Sequence, residues 1–350
     1  MSTMPDPVVY VTGGVDTHRD SHTAAAVDHL GGVLGTATFA TDAAGYRRLL
    51  GWLESFGKVA AVGVEGTGSW GAGLSRYLID AGIEVKEVIR PNRQHRRRHG
   101  KSDATDAISA ARSVISGDAA GSPRGGTGPV ESLRLLKVAR NSAIKQQGAT
   151  RNQIHAVVAT APEELRATLK GKTISQIVKT AAKYRPGDPT DPHQAAKITL
   201  RALAGRFTNL KTEIKDLDTH IRPLVETAAH DLLNEVGLGI QTTADLIITA
   251  GTNPHRLNQE ASFAALCGTS PIDASSGLQQ RHRLNRGGDR QANAALHRII
   301  IVRLRYHQPT RDYMTRRLTE GKTKKEIIRC LKRALARHIY KQLTTPQTTT

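Results

Sequence analysis

Three short runs rich in apolar residues open the chain, Val8–Val15, Thr23–His29 and Gly32–Ala40. They read as consecutive strands, the last two turning over around Gly31-Gly32 as a hairpin. The period then lengthens. Tyr46, Leu49, Leu50 and Leu53 recur at helical spacing within Asp42–Phe56, with Thr41 or Asp42 placed to cap that helix. A further apolar run, Val59–Glu65, predicts a strand. A helix follows from about Trp70 to Ala81, stopping at Gly82, and then a strand over Glu84–Ile89. From Lys101 the pattern is helical again and continues through Ala107–Ile115.

Beyond this block the character changes. Ser116–Gly128 is rich in Gly, Pro and Ser and reads as a linker or mobile loop. Val130 to about Leu169 and Gln194 to Ala228 are helical and polar, separated by a turn-dense break at Tyr184–Pro192. Such helices can form an antiparallel, coiled-coil-like pair that dimerises or holds nucleic acid, or can serve as a spacer. Residues 229–343 read as a compact α-rich domain, and the tail from Thr344 as disordered. The expected division is therefore 8–115, 116–228, 229–343 and a tail at 344–350, an α/β domain followed by α structure. Three strands, helix, strand, helix, strand, helix is the order of a ribonuclease H-like sheet, in which a first-strand acid meets later acids at one metal site. That step is an analogy of order.

Charge narrows the partners. The 350 residues carry a formal charge of +19. Between Arg281 and Lys341 stand 18 Arg and Lys against 4 Asp and Glu. A field so concentrated attracts polyanions, and Lys and Arg contacts to phosphate bring salt-dependent affinity. The two cysteines, Cys267 and Cys330, form no CxxC pair, so neither a disulfide framework nor a zinc site is expected, and a reducing cytoplasm fits. Neither an export signal nor an apolar run approaching the ~18 residues of a membrane span is read in the sequence.

Within this basic chain four acids stand apart. Asp16 and Glu65 close apolar strand-like runs, where an unpaired carboxylate would cost several kcal/mol if desolvated. Asp103 and Asp106, three residues apart, share one face of a helix. Oxygen donors so arranged suit one or two hard divalent cations, Mg²⁺ with Mn²⁺ as the alternative, with nucleic-acid phosphate as the remaining ligand. His18 reads either as an accessory base or as a neutral surface histidine. Immediately ahead of Asp103, the run Arg90–Lys101 holds six Arg and Lys in twelve residues (Arg93, Arg96, Arg97, Arg98 and Lys101 among them), suited to backbone phosphate or to a solvated loop. Leu232–Ala244 fits a helix-hairpin-helix element or an ordinary tight turn. In the first case Gly237 and Gly239 would present backbone N–H groups to phosphate. Ser275 and Ser276, beside Gly277, precede Arg281, Arg283, Arg286 and Arg290. A serine beside glycine in a loop is commonplace, and its hydroxyl needs a base, a metal or cations before it can attack phosphorus.

With those residues assembled, the chain resembles the DEDD-type (RuvC-like) insertion-sequence transposases, recombinases guided by a bridge RNA. An N-terminal RuvC-like block carries the likeness at Gly14-Val-Asp16, Val64-Glu65-Gly-Thr-Gly68 and Lys101–Ala107. A C-terminal transposase block carries it at Val236–Gly239, Phe263–Pro271, Ser275–Gly277 and Arg286–Arg290 with Leu296. Arg19, Gly288 and Gln291 depart from the usual pattern without removing a catalytic group. The resemblance implies that Ser276, with Ser275 in reserve, attacks DNA to form a phosphoserine link. Asp16, Glu65, Asp103 and Asp106 would hold the metal. It further implies double-stranded donor and target DNA, a guide RNA that reads sequence, a dimer or tetramer, and a prokaryotic, nucleoid-associated setting. Acids and serine lie in separate domains and must converge, within one protomer or between two. Two other readings compete: a metal-only nuclease such as a junction resolvase, and a nucleic-acid binder without catalysis.

Overall fold

The computed structural model describes residues 9–88, 102–119, 121, 123, 126–251, 257, 259–273, 282–283 and 287–344. They fall into two compact units: residues up to Gly128 together with Ala250–Phe263, and Pro129–Thr249 together with Ala264 onward. This grouping cuts the chain differently from the division expected from sequence, because the long helices share a unit with the C-terminal segment.

The first unit is built on a five-stranded sheet: β1 (Tyr10–Thr17), β2 (Ser21–Val27), β3 (Val33–Ala40), β4 (Lys58–Glu65) and β5 (Val85–Val88), in the order β3-β2-β1-β4-β5. β1, β2 and β3 pair antiparallel, whereas β4 is parallel to β1 and β5 to β4. The β2–β3 turn closes at the expected glycines, with Asp28 Oδ1 accepting from the Leu30 and Gly32 amides. Helices α1 (Ala43–Glu54) and α2 (Ala72–Asp80) cover one face, and α3 (Asp103–Ile115) covers the other. Asp42 caps α1 by accepting from the Gly45 amide at 2.6 Å, as its position predicts.

Alternation along the strands sorts the two faces. Val11, Val15, Val62 and Val64 pack with Leu49, Leu53, Leu74 and Leu78 under α1 and α2. The intervening positions face α3, and there the chain has Gly14 and Gly63. A Cβ on Gly14 would lie 2.1 Å from the Ala107 carbonyl oxygen and 2.3 Å from the Ala111 nitrogen; one on Gly63 would lie 2.8 Å from the Ala110 oxygen. Without side chains at these points, α3 rests directly on the sheet. The segment after α3, expected as a linker or mobile loop, is docked in part. Ala119 is buried beside Val88 and Ala110, and Gly121 bridges Glu87, because the edge of β5 offers backbone partners.

In the second unit two long helices, α4 (Gly128–Thr160) and α7 (Pro192–Leu233), run antiparallel. Arg140 pairs with Asp218 near one end, while Ile154 packs near Leu200 and Leu203 at the other. The helix expected to reach Leu169 instead breaks at Ala161-Pro162. Pro162 opens the short α5 (Glu163–Leu169), and α6 (Ile174–Ala181) follows behind a Thr173–Gln176 capping box. These pieces close a tip around Leu165, Leu169, Ile177 and Leu200. α7 is interrupted at Ala229 (φ −159°, ψ 52°). There follow α8 (Ile240–Ala250), α9 (Glu260–Leu266, shared between the units), the two-residue strands β6 (Ile272–Asp273) and β7 (His282–Arg283), and α10 (Arg290–Tyr306), α11 (Gln308–Thr319) and α12 (Lys324–Thr344). Ala292, Leu296, Ile299, Ile327, Leu335 and Ile339 are buried in this part. No helix among the described residues is long and apolar enough to cross a membrane.

Candidate active site

Pairing of Val15 with Val64 brings the ends of β1 and β4 level, so Asp16 and Glu65 occupy neighbouring positions. Each lies two residues beyond a glycine that contacts α3, so both side chains emerge on the α3 face. α3 starts at the same end. Ser102 caps it by accepting from the Thr105 amide, and its first turn carries Asp103 and Asp106, where the helix dipole favours negative charge. Thr17 ties the two strand ends together by donating to the Glu65 carbonyl at 2.9 Å. Asp16, Glu65 and Asp106 are buried, and Asp103 is exposed.

The resulting electrostatics are unfavourable for an isolated charge. The Asp16 carboxyl is held above its ordinary range, first by burial; His18 opposes the rise, and the carboxylates of Asp106 and Asp103 add to it. His18 Nε2 stands 3.2 Å from Asp16 Oδ2 and 3.4 Å from Asp103 Oδ1. One ligand atom each from Asp16, His18 and Asp103 falls within 4.8 Å of the others. Carboxylate oxygens crowded at a buried strand end, with one imidazole nitrogen, form a donor set suited to a divalent cation, which would relieve the repulsion that raises Asp16. His18 is the residue that a purely surface reading of the sequence would discard. Its signal was its spacing: two residues after a strand-end acid, it shares that acid's face.

The remaining sequence candidates divide. Gly237, with a positive φ of 90°, lies in the short connection between α7 and α8, and Gly239 donates to Thr242 Oγ1. Beside them a cavity of about 510 Å³ is bordered by Arg222 and Arg298. Arg283 is exposed on β7, and Arg290 begins α10, whose cap Asp289 accepts from the Gln291 and Ala292 amides. Ser275, Ser276, Arg281 and Arg286 lie outside the described residues, as do Arg93, Arg96, Arg97, Arg98 and Lys101. The serine segment 274–281 is flanked by β6 and β7, which pair antiparallel.

A buried network braces the same unit. Lys137 Nζ lies 2.9 Å from Asp245 Oδ1, and Arg298 donates to Asp245 Oδ2 at 2.9 Å. Lys137 also donates to Gln241 Oε1, and Gln241 in turn to Asp218. The network joins α4, α7, α8 and α10. Burial lowers the Lys137 ammonium pKa, against which Asp245 acts.

Two family models match the chain. One, a transposase model of the IS110 DEDD type, matches residues 13–161. The other, for transposases of the IS116/IS110/IS902 family, matches residues 229–315. The first stretch holds all four acids; the second holds both serines and the α7–α8 connection. No curated protein matches the chain.

Proposed function

Because the chain is an IS110-type DNA transposase, we propose that it cuts and rejoins DNA through a serine–DNA link at a metal site held by Asp16, Glu65, Asp103 and Asp106. The observation that carries the reading is the gathering of Asp16 and Asp103 about His18, on the sheet face that Glu65 and Asp106 share. The β3-β2-β1-β4-β5 order supports a RuvC-like, ribonuclease H-like assignment for the first unit.

The four acids would hold the cation, with His18 as an added nitrogen donor. Held there, Mg²⁺ or Mn²⁺ would supply Lewis-acid polarisation of the phosphoryl group and charge stabilisation for the departing oxygen. Ser276 Oγ attacks phosphorus, with Ser275 the alternative. One O–P bond forms while a bridging P–O ester bond breaks. The proton lost by the serine is balanced by the proton taken up by the departing strand hydroxyl. A hydroxyl from a second strand then attacks the phosphoserine, restoring serine and the phosphodiester. Bond energy is kept throughout, so rejoining needs no nucleotide cofactor. Cations flanking the serine, Arg283 and Arg290 with Arg281 and Arg286, would stabilise charge developing on the phosphoryl oxygens. Gly237, Gly239 and the Arg93–Lys101 run would bind backbone phosphate. The reading requires acids and serine to meet at one phosphodiester in a dimer or tetramer. Sequence choice comes from a guide RNA, and the setting is the prokaryotic cytoplasm at the nucleoid.

The test is Ser276→Ala, alone and with Ser275→Ala, incubated with labelled element-end DNA and Mg²⁺. Loss of the adduct on a denaturing gel, together with loss of cutting, is the expected result. Metal-dependent cutting at the parental rate would establish a metal-only nuclease instead.

A further inference from the structure

A cavity of about 740 Å³ opens in the second unit between α12 and a wall made of Gly268–Pro271 and β7. That volume falls within the ~300–1,000 Å³ of cavities that enclose a ligand rather than offer a flat contact. Among the described residues that line it, cations outnumber acids. Arg283 stands on the strand side, and Lys322, Arg329, Arg333 and Arg337 on the helix side, against Glu326 as the acid. Glu326 is engaged in capping α12, accepting from the Thr323 amide at 2.9 Å and from its hydroxyl at 2.7 Å. Its nearest approach to Arg329 is 4.0 Å, too long for a hydrogen bond.

Three of these cations form a ladder. Arg329, Arg333 and Arg337 are spaced by four residues on one face of α12, each step rising about 6 Å along the axis. That step is comparable with the advance from one phosphate to the next along an extended strand. Burial, and then the charge of Arg337, hold the Arg333 guanidinium below its ordinary pKa, a crowding of like charge that a bound anion would relieve. Pro271 and Ala334 add apolar surface to the lining. A base can lie against such a surface while its phosphates meet the ladder. A duplex, convex and stiff, cannot enter a cavity of this size; one strand can.

We infer that this cavity takes a nucleotide of an unpaired DNA strand, with neighbouring phosphates on Arg329, Arg333 and Arg337. The inference rests on the serine reading in one respect. Ser275 and Ser276 fall in the chain between Pro271 and His282, both of which line the cavity, so the serine reading would bring a strand held here towards the nucleophile. Strand exchange requires DNA to be unpaired near the cut, and this site would hold the freed strand.

The experiment uses the full chain carrying Ser276→Ala, so that binding is read without chemistry, and adds Arg329→Gln, Arg333→Gln and Arg337→Gln together. Fluorescence anisotropy follows one labelled sequence as single-stranded DNA, as duplex and as RNA across a salt series. For single-stranded DNA, affinity falls at least tenfold. The slope of log affinity against log salt becomes shallower by about 2, at roughly 0.7 per phosphate contact. Duplex binding changes less than twofold. The triple Lys variant at the same positions keeps the charge, retains the slope and controls for misfolding, checked by circular dichroism. Equal losses for duplex and single strand overturn the inference, as do no loss for either and a loss confined to RNA. A parent chain that forms the serine adduct while the Gln variant binds single strands normally removes the cavity and leaves the serine. Failure of the adduct beside a selective loss of single-strand affinity does the reverse.

Discussion

Replacing Gly14 with alanine should dislodge the acids without touching one. The new Cβ would stand 2.1 Å from the Ala107 carbonyl oxygen and 2.3 Å from the Ala111 nitrogen, where ordinary contact begins at 3.4 Å. Both are backbone atoms, so no rotamer change relieves the clash, and α3 must retreat by roughly 1 Å. Overpacking of this kind costs about 1–3 kcal/mol. Displacing a catalytic group by ~1 Å can cost about 100-fold in rate. Because Asp103 and Asp106 ride on the first turn of α3, DNA cutting should fall by about that factor in protein that still folds. The two tryptophans, Trp52 and Trp70, both lie in the first unit, so urea unfolding followed by their fluorescence reads that unit alone. Gly51→Ala is the control. A Cβ there meets nothing within 4 Å, and alanine in a helix interior gains about 1 kcal/mol over glycine. If Gly14→Ala unfolds at the parental urea concentration and cuts at the parental rate, α3 does not rest on the sheet as described, and the account of the site fails with it.

Removing the carboxylate of Asp245 strands the buried Lys137 ammonium; the Ala variant should lose about 3–5 kcal/mol by urea titration of helical circular dichroism, and pairing Asp245→Leu with Lys137→Met should recover most of it. His22 is buried and stacked on Tyr46 at 5.8 Å, and burial holds its imidazole below the ordinary 6.5. The unfolded chain therefore binds the proton first: stability of the first unit is intact above pH 6.5 and falls below it, by at most about 1.4 kcal/mol per pH unit until the buried ring itself protonates. His22→Phe should flatten that slope in tryptophan-monitored unfolding, and an unchanged slope would assign it elsewhere. Mn²⁺ bound to the parent chain should show nitrogen modulation in pulsed electron paramagnetic resonance, lost in His18→Ala; modulation that survives the substitution would remove His18 from the ligand set.

Much of the first unit could be read from the chain because local signals and tertiary demands agree there. Asp42 has the side chain a helix start needs, Gly31-Gly32 the freedom a turn needs, and Asp16 and Glu65 end runs too apolar to be surface. The docking of Ala119 and Gly121 was hidden, since a Gly-rich segment gives no sign that a strand edge awaits it. Pro162 and the Thr173–Gln176 box were in plain view, yet helical periodicity on either side masked the break between α4 and α5. β6 and β7, two residues each, are too short to leave a pattern. The arginine ladder of α12 shows its period in the sequence but not its cavity, because depth is supplied by residues far away in the chain.

The paired long helices have a bearing on how this enzyme could be resized. At 42 residues, α7 has a nominal length of about 60 Å, and its far tip is held by its own apolar cluster. Removing seven residues from each arm would draw the tip inward by about 10 Å while restoring nearly the same rotational phase. Excising one or two would instead twist the tip out of register by about a quarter of a turn or more. Lineages that lengthened or trimmed this arm should therefore differ in near-heptad increments, with the apolar tip retained as a movable end-piece.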